Sequence, residues 1–216
     1  MLWLARHGET DANAGGLLQG QRDHLLSERG RRQAELLAAA LPLAPTLVVT
    51  SPLLRARDTA TAYGHPVTVD DRWREIGFGD WEGRHGAELL PLLWRERATD
   101  PEWAPPGGES LPAVGRRVRA ALEELWADAA RGEVVVFTHA SPVKVSVAAA
   151  LGAPVEVAGR MHLEVAALTR IRVEAVGPRL LAYNDVCHLR AAGALSPLAG
   201  PYGSSPPGLG TGGRGG

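Results

Sequence analysis

Residues 133–142 read EVVVFTHASP, a β-branched run that stops at Thr138-His139 and turns at Ser141-Pro142 into an expected helix ending at Gly152. A short uninterrupted apolar run of this kind reads as a buried strand, and Pro is tolerated in the first turn of the helix after it. Two other stretches repeat the pattern. Met1–Ala5 is a short apolar run broken by Arg6-His7-Gly8, and Leu47–Thr50 runs into Ser51-Pro52, which reads as a second helix start with Arg55 one turn in. Between them, SERGRRQAELLAAALP (residues 27–42) reads as a helix capped by Ser27, with Leu36, Leu37 and Leu41 at helical spacing. Another helix is expected over Gly107–Arg131.

Strands alternating with helices imply an α/β fold, three-layer αβα, with a mainly parallel central sheet and helices on both faces. Leu163–Val173 and Arg179–Tyr183 alternate polar with apolar and are expected to extend the sheet as a hairpin about Gly177-Pro178. Residues 1–195 are expected to form one domain. Within it, residues 83–108, with Trp94, Trp103, Pro105 and Pro106, read as a lid-like insertion over the strand ends. Residues 196–216 are rich in Gly, Pro and Ser and read as a flexible tail.

The 216 residues carry 23 Lys+Arg against 24 Asp+Glu, and 45% are hydrophobic. A net charge of -1 argues against a chain that coats nucleic acid or anionic lipid, so neither is an expected partner. Cys187 is the only cysteine, which leaves no disulfide framework or multi-cysteine zinc module and suits a reducing cytoplasm, the expected location. No stretch has the length of a membrane span, and MLWLARHGET lacks the pattern of a signal peptide. The seven histidines include no HExxH, so neither a metal nor a cofactor is expected. Lys144 is the only lysine, a bias that coding composition explains better than function.

In a parallel sheet the carboxyl ends of the strands share one edge, so Arg6-His7, Thr50-Ser51 with Arg55, and Thr138-His139 should converge there. Two arginines beside helix N-termini make a seat for a dianion such as phosphate. A neutral histidine between them is a nucleophile for phosphorus, and the arginines stabilise charge on the transferring group. The leaving alkoxide then needs an acid. In REIGFGDWEG, residues 74–83, Glu75 and Glu82 are the candidates, ahead of Asp80.

These segments resemble the histidine phosphatase superfamily, the phosphoglycerate mutase-like fold. LARHGETDANAGGLLQGQRD, SPLLRARDTA, WREIGFGDWEG, PPGGES and VVVFTHASP occur in the family's order and span most of residues 1–190. The resemblance implies that His7 is the phosphorylated nucleophile, that Arg6, Arg55 and His139 hold the phosphoryl oxygens, and that Glu75 is the proton donor. Asn13, Gln19 and the Ala140 amide would line the phosphate pocket, with Thr10 a weaker candidate. Two positions depart from the family: His139-Ala140-Ser141 stands where HGG is frequent, and Lys144 where arginine is common.

The function so implied is a metal-independent phosphomonoesterase acting on a small phosphorylated metabolite, of histidine acid phosphatase type, with an acidic to neutral optimum. A cofactor-dependent phosphoglycerate mutase and a catalytically silent phospholigand-binding module are the alternatives. Pro105-Pro106-Gly107-Gly108-Glu109-Ser110 is the form of the phosphatase branch. The expected partner is a small phosphate ester, and a homodimer through an edge strand is compatible with the resemblance. The insertion offers tryptophans for an apolar leaving group and Arg95 and Arg97 for an acidic one.

Overall fold

The computed structural model describes residues 1–196, so the expected tail lies outside the described residues except for Ser196. The elements run β1 (Leu2–Arg6), α1 (Asp11–Ala14), α2 (Glu28–Ala39), β2 (Leu47–Thr50), α3 (Leu54–Thr61), β3 (Thr68–Val69) and α4 (Gly86–Thr99). They continue as α5 (Leu111–Arg131), β4 (Val134–Thr138), α6 (Ala140–Ala150), β5 (Leu168–Glu174), β6 (Gly177–Asp185) and α7 (Cys187–Ala191).

The sheet order is β3-β2-β4-β1-β5-β6. The first four strands are mutually parallel, and β5 runs antiparallel to both its neighbours. β4 lies at the centre with every residue buried, which is why it reads as an unbroken apolar run. Arg6 pairs with Thr138 and Thr50 with Phe137, so β1, β2 and β4 end level. The ladder continues one residue further: the His7 N–H donates to Thr138 O at 3.0 Å and the Ser51 N–H to Phe137 O at 2.9 Å.

Helices α2, α3 and α7 pack together on one face, while α5 and α6 pack together on the other. α5 buries Val114, Val118, Ala121, Leu122, Leu125 and Ala129 at helical spacing. Fully burying each of the Val and Leu side chains contributes about 1.5–3 kcal/mol. On the opposite face, the loop leaving β1 crosses α2 at backbone contact distance. A Cβ on Gly30 would lie 1.9 Å from Glu9 O, and one on Gly8 2.4 Å from Gly30 O, so only glycine fits at this crossing.

Several boundaries differ from the sequence reading. α5 starts at Leu111, not Gly107, because Ser110 Oγ accepts the Ala113 N–H at 3.2 Å and Gly107, at φ +71°, belongs to the turn before it. Ser51-Pro52 does not open α3. That helix begins at Leu54, whose N–H donates to Asp23 Oδ1 at 2.8 Å. The hairpin turns at Ala175-Val176, and Pro178 lies within β6 opposite Val173, on the outermost strand where a missing N–H is tolerated. The strand before it is shorter than expected, starting at Leu168.

The expected lid is mostly the helix α4, with Pro91 inside it. Trp103 packs against Trp81 with ring centroids 5.5 Å apart at the margin of the core.

Candidate active site

His7 is placed by β1, Arg6 by the last position of that strand, and His139 by the junction of β4 with α6, where it is the N-cap residue. The two imidazoles face each other with centroids 5.1 Å apart and planes tilted by 57°. His7 Nδ1 lies 2.7 Å from the carbonyl oxygen of Gly8. A carbonyl only accepts, so Nδ1 carries the hydrogen and Nε2 of the neutral ring carries the lone pair. Burial, then Arg55 and Arg6, push the His7 pKa well below its ordinary value. His139 is shifted the same way by burial, Arg55, His7, Arg6 and Arg117.

Arg55, the second residue of α3, is almost fully buried. It donates to Gly20 O at 2.7 Å and Arg22 O at 2.8 Å, which ties it to the loop carrying Gln19. Burial lowers its pKa to about 10. Arg6 donates to the carbonyl of Leu163. Ser51, read from the sequence as a helix cap, instead places its Oγ 2.7 Å from His139 Nε2. Buried polar atoms are normally partnered, yet His139 Nδ1, Arg55 Nε and Gln19 Oε1 are buried without a hydrogen bond. Hydrogen-bonding atoms held in reserve beside two guanidinium groups suit an anionic ligand that donates and accepts, such as a phosphate ester.

Glu75 sits on the N-terminus of α6. Its Oε1 accepts the N–H groups of Ile76 (3.0 Å) and Ser141 (2.9 Å), and its Oε2 accepts that of Ala140 (3.0 Å). The Ala140 amide, expected to meet phosphate, is therefore engaged by the carboxylate in this structure. Glu82 lies elsewhere: its Oε1 accepts the N–H of Gln21 (2.8 Å) and of Phe78 (3.1 Å), which braces two loops.

Asn13 and Thr10 cap α1, with Thr10 N–H and Oγ1–H donating to Asn13 Oδ1 at 3.1 and 3.0 Å. The carbonyl end of Asn13 is thus committed to that turn. Two groups escaped the sequence reading. Arg117 of α5 donates to the carbonyls of Arg72, Arg74 and Glu75, and Glu109 holds the Arg117 guanidinium at 3.0 Å while accepting Gly77 N–H at 2.8 Å. Together they fix the backbone that presents Glu75. Among the described residues, no three His, Cys, Asp or Glu side chains are grouped to hold a metal ion, and no helix is long and apolar enough to cross a membrane.

The family profile of the histidine phosphatase superfamily (branch 1) matches residues 2–186. The chain belongs to that superfamily. This histidine phosphatase is 42% identical over 173 residues to the glucosyl-3-phosphoglycerate phosphatase of Mycobacterium tuberculosis, covering 71% of this chain and 76% of that protein. It is 34% identical over 199 residues to phosphoserine phosphatase 1 of Hydrogenobacter thermophilus, covering 87% and 93%. The solved structure of the mycobacterial glucosyl-3-phosphoglycerate phosphatase with VO3 superposes with a TM-score of 0.75 at 37% identity, covering 85% of this chain and 98% of that one. This histidine phosphatase thus shares its fold with known phosphatases.

Proposed function

We propose that the protein is a metal-independent phosphomonoesterase that hydrolyses a small phosphorylated metabolite through a phosphohistidine on His7. One observation carries the reading: a buried neutral imidazole, its Nδ1–H donating to Gly8, presents the Nε2 lone pair beside Arg6 and Arg55. The phosphatase relatives support the same reaction.

In the first displacement Nε2 attacks phosphorus, the P–O ester bond breaks, and Glu75 in its protonated form gives its proton to the departing alkoxide. Arg6, Arg55 and His139 hold the three remaining phosphoryl oxygens as their charge redistributes. In the second, Glu75 takes a proton from water, the oxygen attacks phosphorus, and the N–P bond breaks to release inorganic phosphate. Gln19, Asn13 and the Ala140 amide complete the phosphate seat once the carboxyl of Glu75 turns to the leaving oxygen. The acid role of Glu75 makes it an acid-to-neutral phosphatase in the manner of histidine acid phosphatases. The partner this reading implies is a small phosphate ester, a homodimer is compatible with it, and the chemistry needs no cofactor.

The test is phosphate release from a panel of monoesters between pH 4 and 9 in EDTA, with His7→Ala alongside. Turnover that His7→Ala abolishes is expected. EDTA-sensitive turnover, or turnover that survives His7→Ala, would overturn the reading, while isomerisation of 3-phosphoglycerate without phosphate release would replace it with a mutase.

A further inference from the structure

Gly8 sets the tautomer of His7, and two side chains that no step of the reaction touches hold Gly8 in place. The peptide groups on either side of it are each bonded at both ends. Between His7 and Gly8, the His7 carbonyl accepts the Ala166 N–H at 2.9 Å and the Gly8 N–H donates to Thr59 Oγ1 at 3.1 Å. Between Gly8 and Glu9, the carbonyl accepts from His7 Nδ1 at 2.7 Å and the N–H donates to Gln33 Oε1 at 2.8 Å. Thr59 and Gln33 are both fully buried, so neither meets a substrate.

The helices place both side chains. Gln33 stands one turn along α2 from Gly30, where the loop crosses, and so faces the same loop. Its amide is oriented from the other end, because Nε2 donates to Ala194 O at 3.0 Å and to Ser196 Oγ at 3.1 Å. A carbonyl only accepts, which leaves Oε1 for the Glu9 N–H. Thr59 stands one turn along α3 from Arg55, and its hydroxyl donates to Arg55 O at 2.7 Å while it accepts from Gly8. One hydroxyl thus joins the helix that carries a phosphate-binding arginine to the peptide beside the nucleophile.

Hydrogen bonds in series polarise one another, and an amide whose N–H is donated carries more negative charge on its oxygen. The series here runs from Gln33 Oε1 through the Glu9 N–H and the Gly8 carbonyl to His7 Nδ1–H, and it ends at the Nε2 lone pair. Thr59 stops the peptide on the other side of Gly8 from turning. With either link lost, the Gly8 carbonyl can swing off the ring. A ring that then carries its hydrogen on Nε2 has no lone pair there to give to phosphorus. Packing alone would be served by Met and Val of similar size at these two positions.

We infer that Gln33 and Thr59 are positioning residues for phosphoryl transfer, acting through the two Gly8 peptides to hold the His7 ring with Nδ1 protonated and Nε2 aimed at phosphorus. The inference rests on the phosphohistidine reading and goes beyond it by naming what keeps the nucleophile ready.

The experiment uses the full chain as wild type, Gln33→Met, Thr59→Val and Thr59→Ser, each checked for its fold by circular dichroism. Nitrogen NMR shifts of the His7 imidazole, assigned by their loss in His7→Gln, tell a protonated Nδ1 from a protonated Nε2. The wild type should hold Nδ1–H alone, while Gln33→Met and Thr59→Val should mix the two forms. In EDTA, kcat/KM for p-nitrophenyl phosphate reports formation of the phosphohistidine and should fall about 10- to 100-fold in those two variants. Competitive inhibition by inorganic phosphate should hardly change, since Arg6, Arg55 and His139 remain, and Thr59→Ser should recover most of the loss. A wild-type ring protonated at Nε2 would overturn the inference without any variant. So would folded Met and Val variants that keep both the tautomer and kcat/KM, or an equal loss in Thr59→Ser and Thr59→Val, which would point to packing. If the wild type cleaves no ester, the phosphatase reading falls, and the nitrogen shifts still decide whether these side chains hold the ring.

Discussion

The Arg117 guanidinium donates to the main-chain carbonyl of Glu75 at 3.0 Å, while the same group reaches the carbonyls of Arg72 and Arg74 at 2.7 Å. Three carbonyls of one loop therefore depend on one side chain of α5. Displacing an acid by about 1 Å costs on the order of 10²-fold in rate. Arg117→Met is expected to lower kcat by about 10- to 100-fold with a smaller change in KM, and to move the upper limb of the kcat profile against pH. Arg117→Lys should recover part of the loss. A normal kcat and pH profile in Arg117→Met would show that the loop holds Glu75 without this clamp.

The depressed pKa of His7 sets the acidic side of the activity profile. Because burial, Arg55 and Arg6 disfavour the imidazolium, Nε2 stays a lone-pair donor below pH 6.5, and the lower limb of kcat/KM should fall well under that pH. Stability should move in the same window. Below pH 6.5 the unfolded chain binds protons at His7 and His139 that the folded chain refuses, so stability is full above 6.5 and declines as pH drops towards the lowered folded values. Thermal melts from pH 7.5 to 5 should show this decline, with a shallower slope in His7→Gln. Equal slopes in the two proteins would contradict the linkage.

The crossing of the β1 loop over α2 makes Gly30 intolerant of any side chain. Its Cβ would stand 1.9 Å from Glu9 O, two residues beyond His7, so Gly30→Ala must push backbone against backbone. A cost of about 3 kcal/mol, or roughly 6–12 °C in Tm for a domain of this size, is expected from calorimetry. A Tm within 1 °C of wild type would mean that the loop relaxes freely.

Much of this arrangement was readable because buried parallel strands are uninterrupted apolar runs, and the polar residues that end them are the ones the sheet edge exposes to a ligand. Arg6, His7, Arg55, Glu75 and His139 are accordingly brought to one edge. Helix α4 was not readable, because Pro91 and the charged run Arg95-Glu96-Arg97 look like an irregular segment when tertiary packing is out of sight. Ser51 misled because Ser-Pro signals a helix cap as readily as it supplies a hydroxyl to an imidazole. The Arg117–Glu109 pair was hidden for a different reason: charges on an amphipathic helix usually face water, and only the folded loop shows what these two hold.

The bond from His7 Nδ1 to Gly8 O fixes more than a tautomer. With the ring held by its own chain neighbour, entering and departing groups meet phosphorus along one fixed axis at each displacement, and each in-line displacement inverts the phosphorus centre. Two inversions cancel, so a phosphorothioate monoester made chiral at phosphorus with two oxygen isotopes and cleaved in water carrying the third would yield inorganic thiophosphate of retained handedness.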